Sequence, residues 1–310
     1  MPLADEVLRG DSLAVSKAIS LVENGAPEGR ALLDAIAPRV GRALRVGVTG
    51  PPGVGKSTTL DELSAAYRAR GEKVGILAVD PTSPFTGGAL LGDRVRMAKA
   101  SAGGDVFVRS MATRGAGGGL ARATQDAADI LDAAGCTIVL IETVGVGQSE
   151  IEVSRAADVV VVLLSPESGD GIQALKSGLL EIADLLVVNK ADRPGAERLQ
   201  QDLRSAFELG LRPRREVPIL LAEAARGRGI GELVAAIDAF VAARRADGGF
   251  EERRRRNMET RIRQIAEFLV QRSLWDGGGA RRLEEGAREV LARRRSPYQA
   301  AQELLQEALR

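Results

Sequence analysis

Histidine is absent from the 310 residues, which excludes imidazole acid/base catalysis and histidine-ligated metal centres. Any chemistry must come from carboxylates, Lys, Arg, hydroxyls and the backbone. The one cysteine, Cys136, cannot close an internal disulfide, and the polar start MPLADEVLRGD has no secretory pattern, so a cytoplasmic setting is expected. Aromatics are 3% of the residues. Ala, Val and Leu must therefore fill the core, and no platform for stacking single-stranded nucleic acid is available. An excess of either charge is also lacking: 43 Lys and Arg stand against 42 Asp and Glu, a net +1, so no field draws nucleic acid or a membrane surface. The longest apolar run, Val159 to Leu164, falls far short of the roughly 20 residues a spanning helix needs.

What is present is a change of rhythm along the chain. In residues 1–40 apolar positions recur at helical spacing (Val7, Leu8; Ala18, Ile19, Val22; Leu32, Leu33, Ile36), broken at Asn24-Gly25. Two or three short helices are expected there. From Leu44 onward, short β-branched runs alternate with longer helical stretches: Arg45 to Thr49, Val74 to Val79, Val106 to Val108, Thr137 to Ile141, Val159 to Leu164, Leu185 to Val188 and Val217 to Leu221. Runs such as VVVVLL, apolar at every position, suit strands covered on both faces, hence an α/β domain with a mostly parallel sheet. This domain is expected over 41–246, closing with a helix from Ile230 to Arg245. Asp247-Gly248-Gly249 reads as a linker into a helical segment, 247–310, with further helices over Leu283 to Arg295 and Pro297 to Leu309. The run EERRRR at its start reads as a solvated helix face, because glutamates flank it.

Gly50-Pro51-Pro52-Gly53-Val54-Gly55-Lys56-Ser57, followed by Thr58, fits G-x-x-x-x-G-K-[ST] between a strand and a helix. Glycines let the backbone wrap phosphates, Lys56 neutralises the β- and γ-oxygens, and the Ser57 hydroxyl suits Mg²⁺. Asn189-Lys190-Ala191-Asp192 follows the strand DLLVV, at the sheet end where ligands bind in open α/β folds. The Asp192 carboxylate can accept from guanine N1–H and N2–H₂ but finds no such donor pair on adenine, so GTP is preferred over ATP. Glu142-Thr143-Val144-Gly145 follows TIVLI in the place of a D-x-x-G segment. Glu142 is expected near Mg²⁺ and the Gly145 N–H near the γ-phosphate, with Asp80 and Asp93 as further acidic candidates around the metal. Two Gly-rich loops, Arg109 to Gly119 and Pro166 to Gly171 with Gln173 and Lys176 beyond, are candidate switches.

Taken together, GPPGVGKST, AVDPTSPFTGGALLGDRVRM, RSMATRGAGGGLA, IETVGVGQSE and SGDGIQALKSGLLEIADLLVVNKAD resemble the MeaB/ArgK family, SIMIBI-class P-loop GTPases that act as chaperones of methylmalonyl-CoA mutase. The resemblance covers roughly Gly41 to Arg245 and fits the helical flanks. It implies a P-loop NTPase fold with helical N- and C-terminal extensions, and a GTPase that gates cobalamin loading and protects a B12-dependent acyl-CoA mutase. An adenosyltransferase is implied as a further partner, and a homodimer through the C-terminal helices. It further implies that Lys56 and Ser57 hold phosphates and Mg²⁺, that Asp80, Asp93 and Glu142 form the metal and switch shell, and that Asn189, Lys190 and Asp192 read guanine. Gln173 and Lys176 would arrange the γ-phosphate once the partner docks. Where GTP-binding proteins usually carry a Ser-Ala base loop this chain has Glu223-Ala224, so the guanine contact there would rest on backbone. Val146, not a glutamine, follows Gly145, which implies slow hydrolysis without a partner. The competing readings are a metallochaperone GTPase for another metalloenzyme, against which the absence of His and the single Cys argue, a transport-linked ATPase, which Asp192 disfavours, and a scaffold without turnover.

Overall fold

A computed structural model describes residues 2–80, 106–112, 119–143, 155–167, 178–208, 217–275 and 278–308. The chain forms two compact units, Met1–Arg254 and Arg255–Arg310. In chain order the first contains α1 (Pro2–Leu8), α2 (Ser12–Glu23), α3 (Pro27–Ile36), β1 (Leu44–Thr49), α4 (Lys56–Ala69), β2 (Val74–Asp80), β3 (Val106–Ala112), α5 (Gly119–Ala133), β4 (Ile138–Thr143), β5 (Val159–Leu164), α6 (Leu179–Ile182), β6 (Leu185–Val188), α7 (Ala196–Glu208), β7 (Ile219–Leu221) and α8 (Ile230–Ala246). Helix α9 (Gly249–Trp275) starts in this unit, and α10 (Gly279–Leu291) and α11 (Pro297–Ala308) belong to the second.

The strands form a seven-stranded sheet in the order β3-β2-β4-β1-β5-β6-β7, with every pairing parallel. The uniformly apolar strands behave as two-sided covering requires. Along β5, Val159, Val161 and Leu163 enter the core shared with α4 and α8, while Val160, Val162 and Leu164 enter the core shared with α5 and the N-terminal helices. A period of two thus splits one apolar run between two layers. Helix α5 is enclosed, packing on the sheet on one side and on α1, α2 and α3 on the other. That explains why residues 123–133 are buried throughout, including Thr124, Gln125, Asp126, Asp129 and Asp132.

Four expectations are corrected. Helix α10 starts at Gly279 and ends at Leu291, four residues ahead of the expected Leu283 to Arg295 at both ends. Strand β3 runs to Ala112, because Leu77 to Asp80 of β2 pair in register with Arg109 to Ala112 and Met111 is fully buried; the start of the expected Gly-rich loop is therefore sheet, and residues 113–118 lie outside the described residues. Asp247-Gly248-Gly249 is a tight turn: Asp247 N–H closes back on Ala243 O, Gly248 has φ 73°, and α9 begins at Gly249.

The arginine run is the last correction, since two of its members do not face solvent as a charged helix surface would. Arg254 lays Nε and Nη2 on the two oxygens of buried Asp158, each at 2.7 Å, and its guanidinium also donates to Gly41 O and Ala43 O. Arg253 pairs with buried Asp184. These carboxylates also accept strand-start N–H groups, Arg45 N to Asp158 at 3.0 Å and Val160 N to Asp184 at 2.8 Å. Asp132 similarly gathers the N–H groups of Gly41, Arg42 and Ala43. Buried carboxylates at the edge of the sheet where the strands begin therefore require cations, and the start of α9 supplies two.

Candidate functional site

All strands are parallel, so the segments that follow β1, β4 and β6 leave the sheet at one edge, with β1 between β4 and β5. The phosphate loop follows β1 and leads into α4. Gly50 has φ 143°, and a Cβ there would lie 2.2 Å from Leu163 O, so only glycine lets the loop cross β5 this closely. Gly55 precedes α4 with φ 96°, and a Cβ there would meet Asn189 Nδ2 at 2.5 Å. No side chain caps α4. Its first N–H groups, at Lys56, Ser57 and Thr58, open toward the loop, where a helix start favours an anion.

Lys56 is buried and folds over the loop, donating from Nζ to Gly50 O at 2.8 Å and Pro51 O at 2.9 Å. Ser57 Oγ donates to Glu142 Oε1 at 2.8 Å. Glu142 is itself buried and stands within β4, beside Val48 of β1, so strand pairing places this carboxylate next to the loop. Strand β4 extends to Thr143, one turn of the pleat past the expected end at Ile141.

Asn189 joins the loop to the opposite side of the site. Its Nδ2 donates to Val54 O at 2.8 Å and its Oδ1 accepts the Ala224 N–H at 3.0 Å. Asn189 N–H in turn donates to Leu164 O at the end of β5, and Ala191 N–H to Ala222 O after β7. Lys190 adopts φ 57°, the left-handed region, with its amine on Glu167 Oε2 at 3.0 Å. Asp192 is half-exposed with Arg226 nearby at 3.6 Å. The Ala224 N–H donates to Asn189 Oδ1, and the Glu223 carboxylate holds Arg226 at 3.0 Å and Arg228 at 3.3 Å.

The structure thus brings together Gly50, Pro51, Val54, Gly55, Lys56, Ser57 and Glu142, and links Asn189 with Ala224. Asp80 ends β2, a strand adjacent to β4. Asp93, Gly145, Gln173 and Lys176 lie outside the described residues, as do Gly117 and Gly118. One participant was not anticipated from the sequence: Arg226, which lies between Asp192 and Glu223. Glu167, within the expected switch loop Pro166 to Gly171, pairs with Lys190 and Arg193. Arginines after β7 carry no motif of their own. Among the described residues no helix is long and apolar enough to cross a membrane.

A parallel sheet carrying a phosphate loop between β1 and α4, with Asn-Lys-x-Asp after β6, is the arrangement of the SIMIBI-class P-loop GTPases. Residues 15–278 match the family model described as methylmalonyl Co-A mutase-associated GTPase MeaB, and the chain belongs to that family. It is 37% identical to the GTPase ArgK of Escherichia coli over 86% of this chain and 85% of that protein. It is 38% identical to the mouse mitochondrial methylmalonic aciduria type A homolog over 73% of this chain and 59% of that protein. A solved structure of a LAO/AO transport system kinase superposes with a TM-score of 0.72 at 29% identity, covering 100% of this chain and 97% of that one. Family and fold together make the chain a guanine-nucleotide-binding GTP hydrolase.

Proposed function

We propose that this GTPase is a switch for a B12-dependent acyl-CoA mutase of the methylmalonyl-CoA type, gating cobalamin loading and protecting the mutase. The observation that carries the nucleotide chemistry is the hydrogen bond from Ser57 to buried Glu142 beside Lys56. It unites a hydroxyl, a carboxylate and an ammonium at the start of one helix, where a triphosphate is bound and its charge neutralised. Membership of a family associated with methylmalonyl-CoA mutase supports the choice of client.

The residues present fit Mg²⁺. Among the described residues no three acidic or thiol side chains converge, but Mg²⁺ keeps several waters and commonly takes one or two protein oxygens plus phosphate oxygens. Ser57 and Glu142 would hold it, with Asp80 and Asp93 as further members of the shell. Bound there, the ion supplies positive charge to the β- and γ-phosphate oxygens. Lys56 exchanges the carbonyls of Gly50 and Pro51 for those oxygens, and the N–H groups of the loop and of α4 orient the chain of phosphates. Asn189 and the Lys190 stem support the guanine ring, and Asp192 accepts from its N1–H and N2–H₂ edge. Gly145 senses the γ-phosphate.

Hydrolysis is slow in isolation because Val146 stands where a water-orienting glutamine would follow Gly145. Docking of the mutase then sets Gln173 and Lys176 against the γ-phosphate and raises the rate. The C-terminal helices serve a homodimer: in the unit Arg255–Arg310, Ile262, Leu283, Leu291 and Tyr298 are exposed apolar side chains available to a second copy. An adenosyltransferase that supplies the cobalamin is a further partner.

The test is GTP turnover with Mg²⁺, alone and with a B12-dependent acyl-CoA mutase from the same genome, with ATP as control. Stimulation of at least tenfold by the mutase is expected. Turnover indifferent to such mutases would reassign the client, and hydrolysis of ATP in preference to GTP would remove the role given to Asp192.

A further inference from the structure

Two carboxylates share one guanidinium beside the base-reading segment. Arg226 Nη1 lies 3.0 Å from Glu223 Oε2 and 3.6 Å from Asp192 Oδ2. Arg228 Nη1 reaches the same Glu223 oxygen at 3.3 Å. The members differ in how firmly they are held. The Glu223 side chain is 18% exposed, against 40% for Asp192, 59% for Arg226 and 70% for Arg228. The backbone fastens Glu223 as well: its N–H donates to Arg228 O, its carbonyl accepts from Arg226 N–H and Arg228 N–H, and the next N–H, of Ala224, is bound by Asn189. Glu223 is thus the fixed partner, and Arg226, which reaches both carboxylates, is the side chain able to choose between anions.

The choice matters because of what a guanidinium is. It presents adjacent, coplanar N–H donors to a carboxylate, the same pattern as the N1–H and N2–H₂ edge of guanine. Arg226 is therefore an internal competitor for the carboxylate of Asp192. We propose that Glu223 is a specificity-determining positioning residue that competes with Asp192 for Arg226 and holds it the more closely, at 3.0 Å against 3.6 Å, leaving the Asp192 carboxylate available to guanine. The inference rests on the reading that Asp192 receives the guanine edge. It accounts for an acidic side chain where a small hydroxyl residue would be expected. A glutamate next to a base site adds negative charge of no evident use to a nucleotide; with two arginines three and five residues on, the added charge is balanced within the loop, and the loop plus Asp192 is neutral. Without Glu223, Arg226 would keep Asp192, at 3.6 Å, as its paired anion. Exposed pairs of this kind are weak, so the expected consequence is a graded loss of affinity.

The experiment measures equilibrium binding of GDP and IDP, which lacks the 2-amino group, to the full chain and to Glu223→Gln, Arg226→Ala and the double variant. Glu223→Gln should weaken GDP binding about three- to tenfold and narrow the preference for GDP over IDP. Adding Arg226→Ala should restore both to within about twofold of the parent, and Arg226→Ala alone should bind GDP as tightly as the parent or up to about threefold tighter. Unchanged GDP affinity in Glu223→Gln overturns the proposal. So does a defect that persists in the double variant, which would make Glu223 a mere brace for the loop, or weaker GDP binding by Arg226→Ala alone. Asp192→Asn separates the two levels of argument by its effect on the choice between GDP and XDP, whose 2-carbonyl suits an amide donor. No shift toward XDP would remove the guanine reading itself, whereas a shift without rescue in the double variant would remove only the role of Glu223.

Discussion

Asn189 Nδ2 donates to Val54 O at 2.8 Å, deep between the phosphate loop and the loop after β7. Through its other amide atom the same side chain holds the Ala224 N–H. The segment that would recognise the base and the loop that would wrap the phosphates are one hydrogen-bonded unit, so ordering either end orders the other.

Replacing Asn189 by Ala leaves a buried carbonyl and a buried N–H without their partner. Each such loss costs about 1–3 kcal/mol, so Asn189→Ala should lower the thermal midpoint by several degrees and weaken GDP and GTP together. Melting curves with and without GDP would show this. Loss of nucleotide affinity with an unchanged midpoint would mean that Asn189 acts on the ligand alone.

The Ser57–Glu142 pair allows charge to be separated from structure. Glu142→Gln retains an oxygen that can accept from Ser57 Oγ, so the fold should persist, while the negative charge offered to Mg²⁺ is lost. Turnover with Mg²⁺ is expected to fall by about two orders of magnitude, and the variant should need more Mg²⁺ for half-maximal rate. Parent-like turnover at low Mg²⁺ would exclude Glu142 from the metal shell. Lys56→Ala should lose comparable activity at every Mg²⁺ concentration.

At the opposite edge of the sheet, Arg254 is bound on both oxygens of Asp158. Removing one partner of a buried pair strands the other charge, which typically costs 3–5 kcal/mol; because Arg254 is partly exposed, Arg254→Ala should cost about 3 kcal/mol. Urea unfolding would register this as a lower midpoint. An effect below about 0.5 kcal/mol would return the arginine run to the role of a solvated face.

Cys136 is half-buried beside Gly75, and burial first, then the nearby Asp132 charge, pushes its thiol from 9.0 up to about 11. At pH 8 about one thiol in a thousand is then ionised in the folded protein, against about one in ten at the ordinary value. Alkylation by iodoacetamide should be about a hundredfold slower folded than in urea. The sign for stability follows: the fold favours the neutral thiol, so this contribution is intact below pH 9 and is lost progressively as pH rises toward 11. Equal alkylation rates in both states would show that the thiol is accessible and ionises freely.

Much of the fold is legible in residue order because it depends on local patterns. The run Val159 to Leu164 is a strand with the bounds its composition suggests, and Leu185 to Val188 likewise. The phosphate loop was readable since its glycines serve backbone geometry that no other residue supplies, as Gly50 against Leu163 O shows. Strand β3 was misjudged for a complementary reason: Arg109 and Ser110 carry little strand preference, and only the neighbouring β2 makes them sheet. In the candidate site the motif residues were visible, but the pairing of Glu167 with Lys190 and the place of Arg226 were not, because their partners are distant in sequence or belong to no motif.

By itself the sequence determined the two-sided parallel sheet, the phosphate loop and the carboxylate at Asp192, all of which follow from side-chain chemistry and spacing within a few residues. Tertiary structure alone decided which charges meet. Arg254 finds Asp158, Ser57 finds Glu142, and Arg226 lies between Glu223 and Asp192, because the interaction between charges depends on distance through space and on burial, and neither is written in residue order.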